Sequence, residues 1–140
     1  MRPAFLLLAG VVVFAACRPI EVPPNPLTGT VWELRALVQG GDSLTVDDGL
    51  SPDQVRFQPD GGIRIQSCNN CTGLYRMSPR HVVVERLACT RRACPATRLK
   101  LDRYVGGRAA YATRGDWLIL TVDDDINGID ARLYFAPVIE

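Results

Sequence analysis

Most of the reactive groups in this chain are thiols. Five cysteines stand at positions 17, 68, 71, 89 and 94. Cys17 follows an apolar run and two alanines, and its sulfur is the nucleophile that a lipid-transfer step would modify. The other four form two pairs, Cys68-x2-Cys71 and Cys89-x4-Cys94. That spacing is close to a zinc ribbon, although the second pair is wider than usual, and four thiolates held this way would bind zinc or copper. In an oxidising compartment the same residues read as a disulfide framework, which is the preferred reading. Four cysteines allow three pairings, and spacing alone leaves the choice open. A thioredoxin-like role would need Cys68 at a helix N-terminus, where its pKa is lowered. Asn69-Asn70 followed by Thr72-Gly73 reads instead as a turn between strands.

Other chemistry has little to build on. Any Ser-His-Asp or Cys-His arrangement would have to use the single histidine, His81, at the start of a strand after a turn. We expect no catalytic residue, no enzymatic activity and no cofactor. Gly61-Gly62 and Gly106-Gly107 are explained by a turn and a helix stop, not by a phosphate loop. Asp123, Asp125, Asn127 and Gly128 match positions 1, 3, 5 and 6 of a calcium loop, but position 12, which should be Glu, is Tyr134. A hairpin whose Asp and Asn side chains satisfy turn backbone is the preferred reading. Arg86, Arg91, Arg92, Arg98, Arg103 and Arg108 surround the second Cys pair. They read as a solvated face in preference to a patch for an anionic envelope partner. Lys and Arg total 16 against 15 acidic residues. That balance excludes a strongly basic nucleic-acid binder.

The elements that must carry these residues are short. Arg2 and the apolar run from Phe5 to Ala16 describe a signal peptide over residues 1–16, too short for a membrane span. Phe14-Ala15-Ala16-Cys17 resembles a bacterial lipobox, with Phe14 where Leu is usual. Cys17 is therefore expected to carry lipid, anchoring the protein to a membrane. Arg18, where Asp would retain it, resembles the pattern sorted to the outer membrane, facing the periplasm. Residues 17–26 hold four prolines and read as a tether. The folded domain is expected over residues 27–138. Within it, alternating runs separated by turn signals predict a mainly β antiparallel meander curling toward a barrel, capped by one helix. The expected strands are Val31–Leu37, Gln54–Gln58, Gly62–Ser67, Gly73–Met77, His81–Leu87, Arg108–Thr113, Asp116–Val122 and Arg132–Pro137, with a loop from Gln39 to Asp53. Pro95 at a first helical position, with Leu101, Tyr104 and Val105 on one face, predicts a helix over Pro95–Val105.

Several motifs together resemble the META domain, also called the HslJ family. Ser67–Tyr75 is similar to its G-C-N-x-[FY]-x-G-x-Y signature, carried here by Cys68, Asn69, Gly73 and Tyr75. Thr90, Arg91 and Cys94 are similar to its T-R-M-x-C-x signature before a helix. Leu27–Leu34, with Gly29, Thr30 and Trp32, resembles its opening L-x-G-T-W-x-L with one extra residue before Trp32. Trp117–Leu120 and Leu133–Phe135 fit its closing strands. The resemblance implies a small antiparallel barrel-like fold with one helix. It also implies an envelope lipoprotein associated with heat or envelope stress, acting without catalysis on an unidentified envelope protein or ligand. Cys68 and Cys94 match the family's two cysteines. Its aromatic position is Cys71 here, and the apolar position before its Thr is Cys89. The resemblance thus implies the nested pairing Cys68–Cys94 and Cys71–Cys89. Cys68-x2-Cys71-x-Gly73 also resembles the C-x-x-C-x-G of the copper-resistance lipoprotein NlpE N-terminal domain, which makes metal handling the alternative function. Inhibition of a lytic enzyme in the periplasm is a third.

Overall fold

Strict alternation of side chains sets most of the strands. The computed structural model describes residues 24–44, 46, 52–124 and 127–139. The expected signal peptide, Cys17, most of the expected tether and Asp125 lie outside the described residues. Among the described residues nine strands are formed: β1 (Val31–Gln39), β2 (Asp42–Leu44), β3 (Gln54–Phe57), β4 (Gly62–Gln66), β5 (Asn70–Met77), β6 (His81–Cys89), β7 (Gly107–Arg114), β8 (Trp117–Asp124) and β9 (Ile129–Pro137). One short helix, α1 (Leu101–Val105), separates β6 from β7.

All neighbours pair antiparallel in the order β2-β1-β3-β4-β5-β6-β7-β8-β9, and β1 also pairs with β9. The second contact closes an eight-strand barrel of β1 and β3 to β9. β2 is an extra strand. It shares one edge of β1 with β3, Val31 to Glu33 bonding β3 and Leu37 to Gln39 bonding β2. Every second side chain then points inward, and Leu34, Phe57, Ile63, Val82, Leu118, Leu133 and Phe135 are at most 5% exposed. At this strand number the interior is just wide enough for side chains to fill it.

The registers sort the connections into two poles. The N-terminal pole gathers residues 24–30, the β3–β4, β5–β6 and β7–β8 turns, and the residues after β9. The opposite pole gathers the β1–β2, β4–β5 and β8–β9 turns and the long segment from Thr90 through α1. α1 lies across this second pole, because Tyr104 Oη donates to Gln39 Oε1 at the end of β1 (2.8 Å) and Leu101 and Val105 are buried in the core.

The helix is shorter than the sequence suggests. Pro95 begins a turn, closed by Arg98 N–H donating to the Pro95 carbonyl at 2.9 Å, and helix starts only at Leu101. The Leu99 carbonyl, which a continuous helix would place in its own ladder, is approached by the Ser67 hydroxyl at 3.3 Å. β2 also departs from expectation, since it lies inside the predicted Gln39–Asp53 loop. All three of its residues are exposed and it pairs through backbone alone, so no apolar period marks it. β5 and β6 run longer than predicted at their Cys ends, and β9 begins at Ile129.

A bulge fixes the bend of β6. Thr72 pairs with Ala88 and Leu74 with Glu85, so Arg86 and Leu87 together oppose Gly73. Arg86 adopts φ 54°, alone among the described non-glycine residues in being positive. A Cβ on Gly73 would lie 2.8 Å from Leu87 Cδ2 and 2.9 Å from the Glu85 carbonyl, and one on Gly106 would lie 3.0 Å from Leu87 Cδ1. Leu87 is thus seated between two glycines, which ties the residue after α1 to the β5–β6 ribbon.

Candidate functional site

The four cysteines of the domain meet at the second pole. Cys68 in the β4–β5 turn is bonded to Cys94, and Cys71 in β5 to Cys89 in β6. This is the nested pairing. Cys71 and Cys89 are register partners on adjacent strands, with Cα atoms 4.0 Å apart. The outer bridge reaches from the turn to the irregular chain before α1, with Cα atoms 5.9 Å apart.

Asn69 organises what lies between the bridges. Its Oδ1 accepts from Arg92 N–H (2.8 Å) and from the Thr90 hydroxyl (3.3 Å), and its Nδ2 faces Cys94 Sγ at 3.4 Å. Thr90 Oγ1 accepts in turn from Asn70 N–H, and Thr90 N–H donates to the Asn70 carbonyl. Asn69 and Thr90 therefore dock the segment after β6 onto the β4–β5 turn, their side chains adding to one backbone bond. Arg91 beside them is exposed.

Beneath this corner lies a carboxyl that the sequence did not single out. Asp53, 5% exposed, accepts from the Ser67 hydroxyl at 2.5 Å, while its carbonyl accepts from Leu34 N–H at 2.8 Å. Burial pushes the Asp53 pKa above the usual carboxylate value, and the Ser67 hydrogen bond and the nearby Arg98 charge oppose that rise. Nothing in a polar loop sequence marks Asp53 as buried; its partner Ser67 is visible only as the residue before Cys68.

The remaining motif residues sit at the N-terminal pole. Trp32 is buried and its indole N–H donates to the Leu27 carbonyl at 3.0 Å. Gly29, at φ 80°, supplies the left-handed turn that returns the chain from Leu27 to β1. Thr30 follows it, half-buried. The Tyr75 hydroxyl donates to the Gln58 carbonyl (2.8 Å) and accepts from Asn25 Nδ2 (3.0 Å), and its ring meets Phe57 edge-on with centroids 5.0 Å apart. Burial raises the Tyr75 pKa, the Asn25 bond opposing and Asp60 adding to it.

The other candidates are not brought together. His81 opens β6 at the N-terminal pole, its backbone bonded to Ser78, and Ser67 and Asp53 are at the opposite pole. Asp123 pairs in register with Asp130 across the β8–β9 hairpin. Asn127 donates its side-chain amide to Asp124 Oδ2, so it serves there as a donor and Asp124 supports the turn. Asp125 is outside the described residues. Cys71, Cys89 and Asp102 present potential ligand atoms within 4.8 Å of one another, but the two sulfurs are bonded to each other.

Comparison with known proteins agrees with this geometry. Residues 25–127 match the META domain, a span that ends in the turn before β9. Two solved structures share the fold. One, an NMR structure of a protein from Burkholderia xenovorans, has a TM-score of 0.62 at 22% identity, covering 85% of this chain and 94% of that one. A second NMR structure has a TM-score of 0.58 at 19% identity, covering 79% and 90%. A search of curated proteins finds no match.

Proposed function

The chain belongs to the META domain family, and we propose that it is a non-catalytic binding protein of the bacterial cell envelope. In this reading Cys17 is its lipid anchor, and it serves envelope integrity or the response to envelope stress by binding an envelope protein or ligand. The observation that carries it is how the chemistry is committed. All four cysteines of the domain are in disulfides, the buried Asp53 is bonded to Ser67, and His81 stands at the other pole from both. Disulfides persist where thiols oxidise, which supports export. Three acyl chains on Cys17 would hold the protein firmly where one alone is marginal.

Two experiments test it. Acyl label should reach Cys17, and Cys17→Ser should lose membrane association; equal partitioning of the processed variant would contradict the anchor. His81→Ala should keep every phenotype of the wild type, and a folded His81→Ala protein that behaves like a deletion would reopen an enzymatic reading.

One observation favours a second reading, metal handling. Reduction of the inner bridge would leave two thiols and the Asp102 carboxylate converging within 4.8 Å. Metal content of protein purified without reductant decides between them: stoichiometric zinc or copper favours the second reading.

A further inference from the structure

The wall of the barrel formed by β3, β4 and β5 carries an arrangement that the fold does not require. Arg56 of β3 and Arg64 of β4 are direct register partners, and both point outward. Like charges directly opposite on neighbouring strands destabilise a sheet. Among the described residues no ion pair offsets them. β3, β4 and β5 contain no acidic residue, and neither arginine belongs to the ion pairs Arg35–Glu33 and Arg76–Glu85. Glu33, on the adjacent β1, is held by Arg35 at 2.9 Å and by Gln54 Nε2 at 3.0 Å. It is engaged elsewhere.

Arg56 and Arg64 line a depression of about 460 Å³, together with Gln54, Gln66, Asn70 and Thr72. Its size is within the range of about 300–1,000 Å³ usual for small-ligand sites. A local rule broken without internal compensation marks the places where function is found. Two arginines at facing register positions can aim N–H donors at the oxygens of one phosphoryl group, and Arg binds such groups in bidentate fashion. The amide and hydroxyl side chains around them suit the hydroxyls of the same molecule.

We propose that this groove binds a phosphorylated, hydroxyl-bearing ligand, with Arg56 and Arg64 clamping the phosphoryl group and Gln66, Asn70 and Thr72 reading its polar remainder. The phosphoryl group can belong to a soluble sugar phosphate or to a phospholipid headgroup. The assignment goes beyond the binding role proposed above and needs neither the lipid anchor nor the disulfides.

The test is a titration of the full chain with inorganic phosphate, following the arginine side-chain N–H signals by NMR. Sodium chloride at matched ionic strength controls for screening. Saturable shifts confined to Arg56 and Arg64 are expected. Arg56→Gln or Arg64→Gln should each weaken them about tenfold or more, as loss of a charge-assisted hydrogen bond implies. Arg64→Gln should also raise the Tm in phosphate-free buffer, because it removes the uncompensated pair, and phosphate should raise the Tm of wild type alone. A second arm uses phosphatidylglycerol vesicles against phosphatidylcholine vesicles. Arginine-dependent binding to the first, without response to inorganic phosphate, places the phosphoryl group on a lipid headgroup. Shifts of all arginines that grow linearly with salt, equal response to acetate, or binding unchanged in the double variant would each overturn the proposal.

Discussion

The two poles of the barrel are closed by different means. At the N-terminal pole the plug is local. Leu27 is fully buried five residues before Trp32, whose indole holds its carbonyl, and Tyr75 ties Asn25 to the β3–β4 turn. Apolar burial and a few hydrogen bonds suffice, because a short turn brings the plug to its place. At the other pole the chain between β6 and α1 has no such resource. Residues 90–97 are exposed except for Cys94, so the segment buries too little apolar surface to offset the entropy of ordering it. Two disulfides and the Asn69 hydrogen bonds hold it down instead. The comparison teaches why the cysteines cluster where they do: covalent bonds appear where burial runs out.

Breaking that contrast should have its largest effect at the covalent pole. Cys68→Ala with Cys94→Ala removes a bridge spanning 26 residues, for which chain entropy gives about 3 kcal/mol as a lone closure and less while the nested inner bridge remains. Cys71→Ala with Cys89→Ala should cost less, because the remaining outer bridge already restricts its 18-residue span and the β5–β6 ladder holds the two positions opposed. Urea unfolding of the two double variants checks the order. An inner-bridge variant that is the weaker of the two would contradict it.

At the N-terminal pole the expected losses are smaller and separable. Tyr75→Phe deletes a hydroxyl that both donates to Gln58 and accepts from Asn25, leaving the Gln58 carbonyl with only the Gly61 N–H and Asn25 Nδ2 without this acceptor, at a cost of about 1–3 kcal/mol. The loss should be the same in oxidised protein and in the Cys68→Ala, Cys94→Ala background, since well-separated sites add. A strong dependence of one on the other would show that the poles are a single unit.

The smallest effect is a matter of pH. The folded state raises the Asp53 pKa above its ordinary 3.8, so it favours the protonated carboxyl. This contribution to stability is fully present below about pH 3.8 and is lost as pH rises through the higher folded value. Asp53→Asn keeps a neutral group able to donate to Ser67, freeing the Ser67 hydroxyl for the Leu99 carbonyl. Its stability relative to wild type should therefore climb as pH rises from the acid range toward neutrality. A flat difference across that range, from thermal melts at matched ionic strength, would remove Asp53 from the account.

Much of the barrel could be read from the sequence because its strands obey a simple period. Pro59-Asp60-Gly61 set the β3–β4 hairpin, and a hairpin centred on Asp60 already implies that Arg56 faces Arg64. The META motif residues were legible as a set, and the structure separates them by role: Trp32 and Tyr75 lock one pole, Asn69 and Thr90 the other. What could not be read depends on distant partners. Pro95 is a good helix start by local rules, yet the Ser67 hydroxyl from a turn 32 residues away approaches the Leu99 carbonyl before helix begins. β2 carries no apolar period, because backbone pairing to the far half of β1 makes it a strand. Asp53 looks like any loop aspartate until β1 and the β4–β5 turn cover it.

Hydrogen–deuterium exchange followed by mass spectrometry, on oxidised protein and on protein held reduced, tests the central contrast most directly. On reduction, peptides covering residues 67–71 and 89–105 should lose protection, while those covering Leu27–Leu34 and the β3–β4 hairpin keep theirs. Uniform loss across both poles would contradict the account, as would unchanged protection around Thr90 to Val105.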